Sequence, residues 1–106
     1  MTRGWLFLAI AIATEIIATL ALKSSAGMSR LWPSLGALAG YGVAFYCLSQ
    51  ALQTIPLGIS YAIWSGVGIV ALSVIGLLVY DQPLGRTEVA GIALILLGVI
   101  LLYWRS

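Results

Sequence analysis

Glu15 is the residue whose type and position point most directly to chemistry. It stands inside the apolar run from Gly4 to Leu22, where no other side chain is ionisable. About ten residues of helical rise place it roughly 15 Å from the start of that run. A carboxylate at this depth in a bilayer costs about 2.5 kcal/mol or more, so it should face protein or a water-filled cavity. Such a group is typical of a proton or cation site; the alternative is a protonated acid that hydrogen-bonds two helices together.

A membrane carboxyl without a basic partner at similar depth can bind either a proton or a cation. A bound cation favours the charged form of Glu15, and a proton competes with it, so that one residue can couple two fluxes. In a homodimer the two copies would share a site and titrate as a coupled pair. Small residues surround Glu15 at helical neighbour spacings, and they permit either close helix approach or room for a ligand: Ala11, Thr14, Ala18 and Thr19.

Aromatic residues suited to a cation lie in another apolar run. A single helix face carries four residues at positions i, i+3, i+4 and i+7: Tyr61, Trp64, Ser65 and Gly68. The faces of Trp and Tyr rings attract a cation that has lost its water, although an interfacial aromatic belt is the alternative. Tyr41, which stands between two glycines, is a third candidate, with core packing as its alternative.

Two glycine pairs suggest mechanical roles. Gly66 and Gly68 lie within the third apolar run, where they mark either a kink that serves as a hinge or a close helix contact. Gly91 and Gly98 are seven residues apart and share one face of the last run, which has no polar side chain from Val89 to Leu102. That run cannot line a polar pathway. We therefore expect it to make a dimer contact through its glycine groove.

The helices that position these residues can be predicted from the lengths of the apolar runs. A helix needs about 20 apolar residues to cross a bilayer. Four such stretches are present, and they predict transmembrane helices over residues 4–22, 31–52, 57–80 and 87–104. Only short connectors remain between them. The sequence thus predicts an all-α integral membrane protein in which residues 1–106 form a single transmembrane domain.

The composition excludes most other classes of protein. Hydrophobic residues make up 62% of the chain and charged residues 8%, whereas a soluble domain is about 25% charged. The chain has no histidine and one cysteine, and its charges are scattered, which argues against a metal site, an internal disulfide and a nucleic-acid interface. One buried acid without a second acid or base, a nucleophile or a cofactor does not make a catalytic set. We expect neither an enzyme nor a bound cofactor.

The distribution of basic residues gives almost no preferred orientation in the membrane. With four helices, Arg3 and Arg105 lie on one side, and Lys23, Arg30 and Arg86 lie on the other. Pairing of oppositely oriented copies is therefore plausible. Four helices of this size do not readily enclose a deep cavity in one chain, so we expect a dimer.

Five stretches along the chain also carry a family resemblance: Ala13–Thr19, Leu22–Gly27, Arg30–Ser34, Ile55–Gly58 and Tyr61–Val70. On these, essentially the whole chain resembles the small multidrug resistance family of bacterial inner-membrane exporters. The resemblance implies an antiparallel, dual-topology homodimer in the lipid bilayer. It also implies that proton and cationic drug compete for the pair of Glu15 carboxylates, with Trp64, Tyr61 and Tyr41 lining the pocket. It places Gly66 and Gly68 at a kink, and Gly91 and Gly98 at the dimer contact.

The branch of the family is indicated by two positions. Ala18 stands where the guanidinium-exporting branch usually has Trp, and Ser65 stands where that branch tends to have Thr. Both favour the quaternary ammonium and multidrug branch. The sequence therefore predicts a proton-coupled exporter of hydrophobic cations. The alternatives are an exporter of guanidinium or polyamines, and a non-transporting membrane subunit in which Glu15 is an assembly contact.

Overall fold

The protein is built from four long α-helices. The computed structural model describes residues 2–105, with side chains from 3 to 104, and no strand occurs within that range. The helices are α1 (Thr2–Ser24), α2 (Leu31–Ala51), α3 (Leu57–Val79) and α4 (Arg86–Arg105). Each end lies within two residues of the predicted one. All four are long and apolar enough to cross a membrane. The predicted all-α membrane architecture is confirmed, whereas the antiparallel dimer stays a prediction.

The chain forms two compact units, Met1–Ser60 and Tyr61–Ser106. The first contains α1 and α2, and the second contains most of α3 together with α4. The predicted single transmembrane domain stays a prediction.

Small side chains allow α1 and α2 to pack closely in the first unit. Alanines seven residues apart on each helix are at most 1% exposed: Ala11 and Ala18 on α1, and Ala37, Ala44 and Ala51 on α2. A seven-residue spacing keeps one helix face turned toward a partner helix. Gly40 lies directly against Ala18, since a Cβ added at Gly40 would be 2.8 Å from the Ala18 Cβ. The two backbones therefore approach each other more closely here than larger side chains would permit.

Gly66 makes a comparable contact in the second unit. A Cβ at this position would lie 2.5 Å from Cγ2 of Val99, so α4 packs directly on the α3 backbone. Helix α3 runs without interruption through Gly66 and Gly68. Of the two roles predicted for Gly66, the close helix contact is observed, and the hinge stays a prediction.

The connector between α1 and α2 is organised around Ser25, which is fully buried. Its carbonyl oxygen accepts hydrogen bonds from the backbone N–H groups of Ser29 at 2.9 Å and Arg30 at 3.0 Å. Its hydroxyl oxygen accepts one from the Met28 N–H at 3.0 Å. Ala26, Gly27 and Met28 all have positive φ, between 50° and 74°. A residue with a Cβ costs roughly 1–2 kcal/mol in this region, so the connector holds two strained residues.

Replacing Ala26 with Gly should stabilise the protein. Relief of strain at φ 50° outweighs the extra freedom of glycine in the unfolded chain, and we expect a gain of about 0.5–1 kcal/mol. The measurement is thermal unfolding in detergent. Ala39→Gly is the matched control, because the same change on the exposed side of α2 should cost about 1 kcal/mol. A lower unfolding temperature for Ala26→Gly would contradict the prediction.

Candidate functional site

Glu15 lies near the centre of α1 and is half-buried. The helical rise places it about 20 Å from Thr2 in a helix of about 34 Å, so its carboxyl stands far from both helix ends. The residues before and after it on α1 are apolar or uncharged as far as Arg3 and Lys23.

Two hydroxyl groups form a hydrogen-bonded chain with this carboxyl. The Thr19 hydroxyl donates to Oε2 of Glu15 at 2.5 Å. The same Thr19 oxygen lies 2.7 Å from the hydroxyl of Tyr41 on α2. A threonine hydroxyl has a single proton. While Thr19 donates to Glu15, it must therefore accept from Tyr41.

The close helix crossing explains why these hydroxyls meet. Ala18 precedes Thr19 on α1, and Gly40 precedes Tyr41 on α2. Because Gly40 has no side chain, α2 can approach α1 at Ala18. The neighbouring hydroxyls are then within hydrogen-bonding distance.

Other hydroxyl residues in the helices behave differently from Thr19. Each of three donates to a backbone carbonyl one turn earlier: Thr14 to Ile10, Ser34 to Arg30 and Ser65 to Tyr61. This is the usual local bond of a helical hydroxyl. Sequence reasoning placed Thr19 beside Glu15 but did not identify it as the donor to the carboxylate. The available signal was the spacing of four residues between them.

The predicted aromatic residues of α3 form a pair. The ring centroids of Tyr61 and Trp64 are 5.5 Å apart with an interplanar angle of 62°, an edge-to-face arrangement. Tyr61 is 57% exposed, and Trp64 is half-buried. Ser65, which shares the predicted helix face of Tyr61 and Trp64, borders an open groove of about 280 Å³ between α3 and α4, together with Gly66 and Gly98.

The remaining predicted residues occupy two kinds of position. Ala11 and Ala18 are fully buried, and Ala18 contacts the α2 backbone, so within the single chain it serves helix packing. Gly91 and Gly98 have open space where a Cβ would point. At Gly98 this open space adjoins the groove between α3 and α4. The role of the alanines in lining a pocket and the dimer contact of the glycines stay predictions.

Each of the two units carries a group with a definite chemical capability. The described partner of the Glu15 carboxylate is a hydroxyl, which stabilises a negative charge without neutralising it. A half-buried carboxylate of this kind can take a proton or attract a cation. An aromatic pair on α3 supplies the type of surface that binds organic cations.

Four helices long and apolar enough to cross a membrane define a multi-pass membrane protein, and a hydrogen-bonded acid lies near the middle of the first helix. The family model described as "Small Multidrug Resistance protein" matches residues 3–95. The chain therefore belongs to the small multidrug resistance family.

Several relatives are similar over nearly their whole length. The quaternary ammonium compound-resistance protein QacE of Escherichia coli is 50% identical over 100 residues, covering 94% of this chain and 91% of that protein. A putative ethidium bromide resistance protein of Salmonella typhimurium is 48% identical, covering 98% and 93%. The multidrug resistance protein EbrA of Bacillus licheniformis is 46% identical, covering 96% and 97%. The family and these relatives support a role in multidrug efflux.

Proposed function

We propose that this protein is a proton-coupled antiporter that exports hydrophobic and quaternary ammonium cations, and that proton and cation compete for Glu15. The observation that carries the proposal is the half-buried carboxyl near the centre of α1, which has a hydroxyl partner and no fixed cation among its described hydrogen-bond partners. Such a group can exchange a proton for a substrate cation without leaving an uncompensated charge in the membrane.

The substrate class is supported by two independent features. Quaternary ammonium compounds and ethidium, which appear in the names of the relatives, are cations with large apolar surfaces. The edge-to-face pair of Tyr61 and Trp64 offers aromatic surface for such a cation, and Tyr41 adds a third ring next to Thr19. In this proposal the protein is a carrier and not an enzyme, and it needs no cofactor.

We further propose that the working unit is an antiparallel homodimer in the bacterial inner membrane. Two copies would bring two Glu15 carboxyls to one pocket. The open face of α4 at Gly91 and Gly98 would provide the dimer contact. The near-even distribution of basic residues between the two sides supports insertion in both orientations.

The test is proton release from detergent-solubilised protein on addition of tetraphenylphosphonium at slightly alkaline pH. We expect release from the wild type and none from Glu15→Gln, since the amide does not ionise. A signal with guanidinium in place of tetraphenylphosphonium would overturn the multidrug assignment in favour of a small-cation exporter. Silence with both ligands would overturn the antiporter proposal and favour a non-transporting subunit.

A further inference from the structure

We infer that Thr19 is a positioning residue that transmits the protonation state of Glu15 to Tyr41, and that the Tyr41 O–H bond changes direction when the carboxyl takes a proton. The inference rests on the proposed function, because it concerns how the same site distinguishes a proton from a cation. Its basis is the chain of two hydrogen bonds, 2.5 Å from Thr19 to Glu15 and 2.7 Å between Thr19 and Tyr41.

With Glu15 ionised, each hydroxyl proton of the hydrogen-bonded chain has a fixed place. The carboxylate can only accept, so Thr19 donates to it. The single Thr19 proton is then committed, and Tyr41 must donate to the Thr19 oxygen. The Tyr41 proton is thereby held inside the chain. Away from Thr19, the Tyr41 hydroxyl presents only its lone pairs.

Protonation of Glu15 at Oε2 allows the whole chain to reverse. The new carboxyl O–H donates to the Thr19 oxygen, and the Thr19 hydroxyl rotates to donate to the Tyr41 oxygen. The Tyr41 proton is then released to point away from the chain. One proton has been added, two hydroxyl protons have rotated, and no heavy atom needs to move. Chains of this kind reinforce their own direction, because each hydrogen bond polarises the next.

The reversal strengthens the competition between proton and cation. A cation beside Tyr41 meets oxygen lone pairs while Glu15 is charged, and it meets a hydroxyl hydrogen when Glu15 is neutral. The proton thus removes the carboxylate charge and also turns the nearest hydroxyl dipole against the cation.

The other titratable groups of α1 and α2 lie far from this hydrogen-bonded chain. Along α1, Lys23 is about 12 Å and Arg3 about 18 Å from Glu15 by helical rise. On α2, Tyr46 is 61% exposed and Cys47 is buried, and both lie more than one turn beyond Tyr41. Glu15 is therefore the group on α1 and α2 whose protonation can reverse the chain.

The experiment compares Thr19→Val, which removes the hydroxyl while keeping the side-chain shape, with Thr19→Ser, which restores it. Protein carrying tyrosine labelled with ¹³C at the ζ-carbon is titrated with acid, and the Tyr41 signal is assigned by its loss in Tyr41→Phe. We expect the wild-type Tyr41 signal to shift as Glu15 is protonated. The shift should vanish in Thr19→Val and return in Thr19→Ser.

Binding of tetraphenylphosphonium provides a second readout. At a fixed pH, Thr19→Val should weaken binding by roughly tenfold to a hundredfold, the size expected for loss of one hydrogen bond to a charged group. Tyr41→Phe should weaken binding when made in the wild type. The same substitution should weaken binding little further in Thr19→Val, because the hydrogen-bonded chain is already interrupted there. Thr19→Ala repeats the comparison if the valine variant does not fold.

Two results would overturn the inference: a Tyr41 signal that still follows pH in Thr19→Val, or fully additive effects of the two substitutions. Proton release measured on the same wild-type sample separates this failure from failure of the proposed function. Release with an unresponsive Tyr41 signal refutes only the role of Thr19. Absence of release refutes proton exchange at Glu15 itself.

Discussion

Glu15→Gln should abolish drug accumulation driven by a proton gradient, reducing it to the level of protein-free vesicles. Glutamine has nearly the same volume and still accepts the hydrogen bond that Thr19 donates to Oε2, so the local packing is preserved. It can neither release a proton nor balance the charge of a cation within the membrane. The measurement is uptake of tetraphenylphosphonium into proteoliposomes across an imposed pH difference. Because the variant keeps the local packing, a loss of uptake reports the chemical role of the carboxyl and not a role in assembly.

Glu88→Gln is the matched control. Glu88 undergoes the same chemical change but lies in the first turn of α4, where it is exposed. We expect this variant to transport at the wild-type level. Equal losses in the two variants, or full transport by Glu15→Gln, would show that the Glu15 carboxyl is not the exchanging group.

Gly40→Ala should both destabilise the protein and weaken cation binding. The added Cβ would lie 2.8 Å from the Ala18 Cβ and 3.3 Å from its Cα, so the helices must separate locally. Overpacking of this kind costs about 1–3 kcal/mol. The same separation lengthens the 2.7 Å contact between Thr19 and Tyr41, which are the next residues on the two helices. The unfolding temperature and the affinity for tetraphenylphosphonium should therefore both fall.

Two further variants make this prediction specific. At Gly42 an added Cβ meets nothing within 4 Å, so Gly42→Ala should stabilise α2 by up to about 1 kcal/mol through helix propensity. Combining Gly40→Ala with Ala18→Gly removes the closest contact and should recover part of the lost stability, which a double-mutant cycle measures. A Gly40→Ala protein as stable as the wild type, or a double variant worse than the single one, would contradict the proposed crossing.

The helices could be predicted from the sequence because bilayer thickness fixes the length of an apolar run. The ends were less accurate for a physical reason, visible at α1. The apolar run ends at Leu22, but the helix continues through Lys23 to Ser24. Apolar length reports where the hydrocarbon ends, whereas a helix ends where its backbone hydrogen bonds stop.

The site could be predicted only in part. Glu15 was identifiable because an isolated acid in an apolar run costs free energy in a membrane, and such residues are by default candidates for a functional site. The packing face formed by Ala37, Ala44 and Ala51 was not predicted, although its seven-residue spacing is visible in the sequence. The contact of Ala18 with Gly40 was not, because it depends on the register between two helices. The bond from Thr19 to Glu15 was missed since a helical hydroxyl more often bonds to its own backbone.

The connector centred on Ser25 has a mechanical consequence. Its backbone groups are bonded to one another, and the helices on either side are locked at Ala18 and Gly40. Helices α1 and α2 are thus held together at two places, the connector and the crossing. In the exporter proposed above, Glu15 would therefore keep Thr19 and Tyr41 as its neighbours if α1 and α2 move as one body.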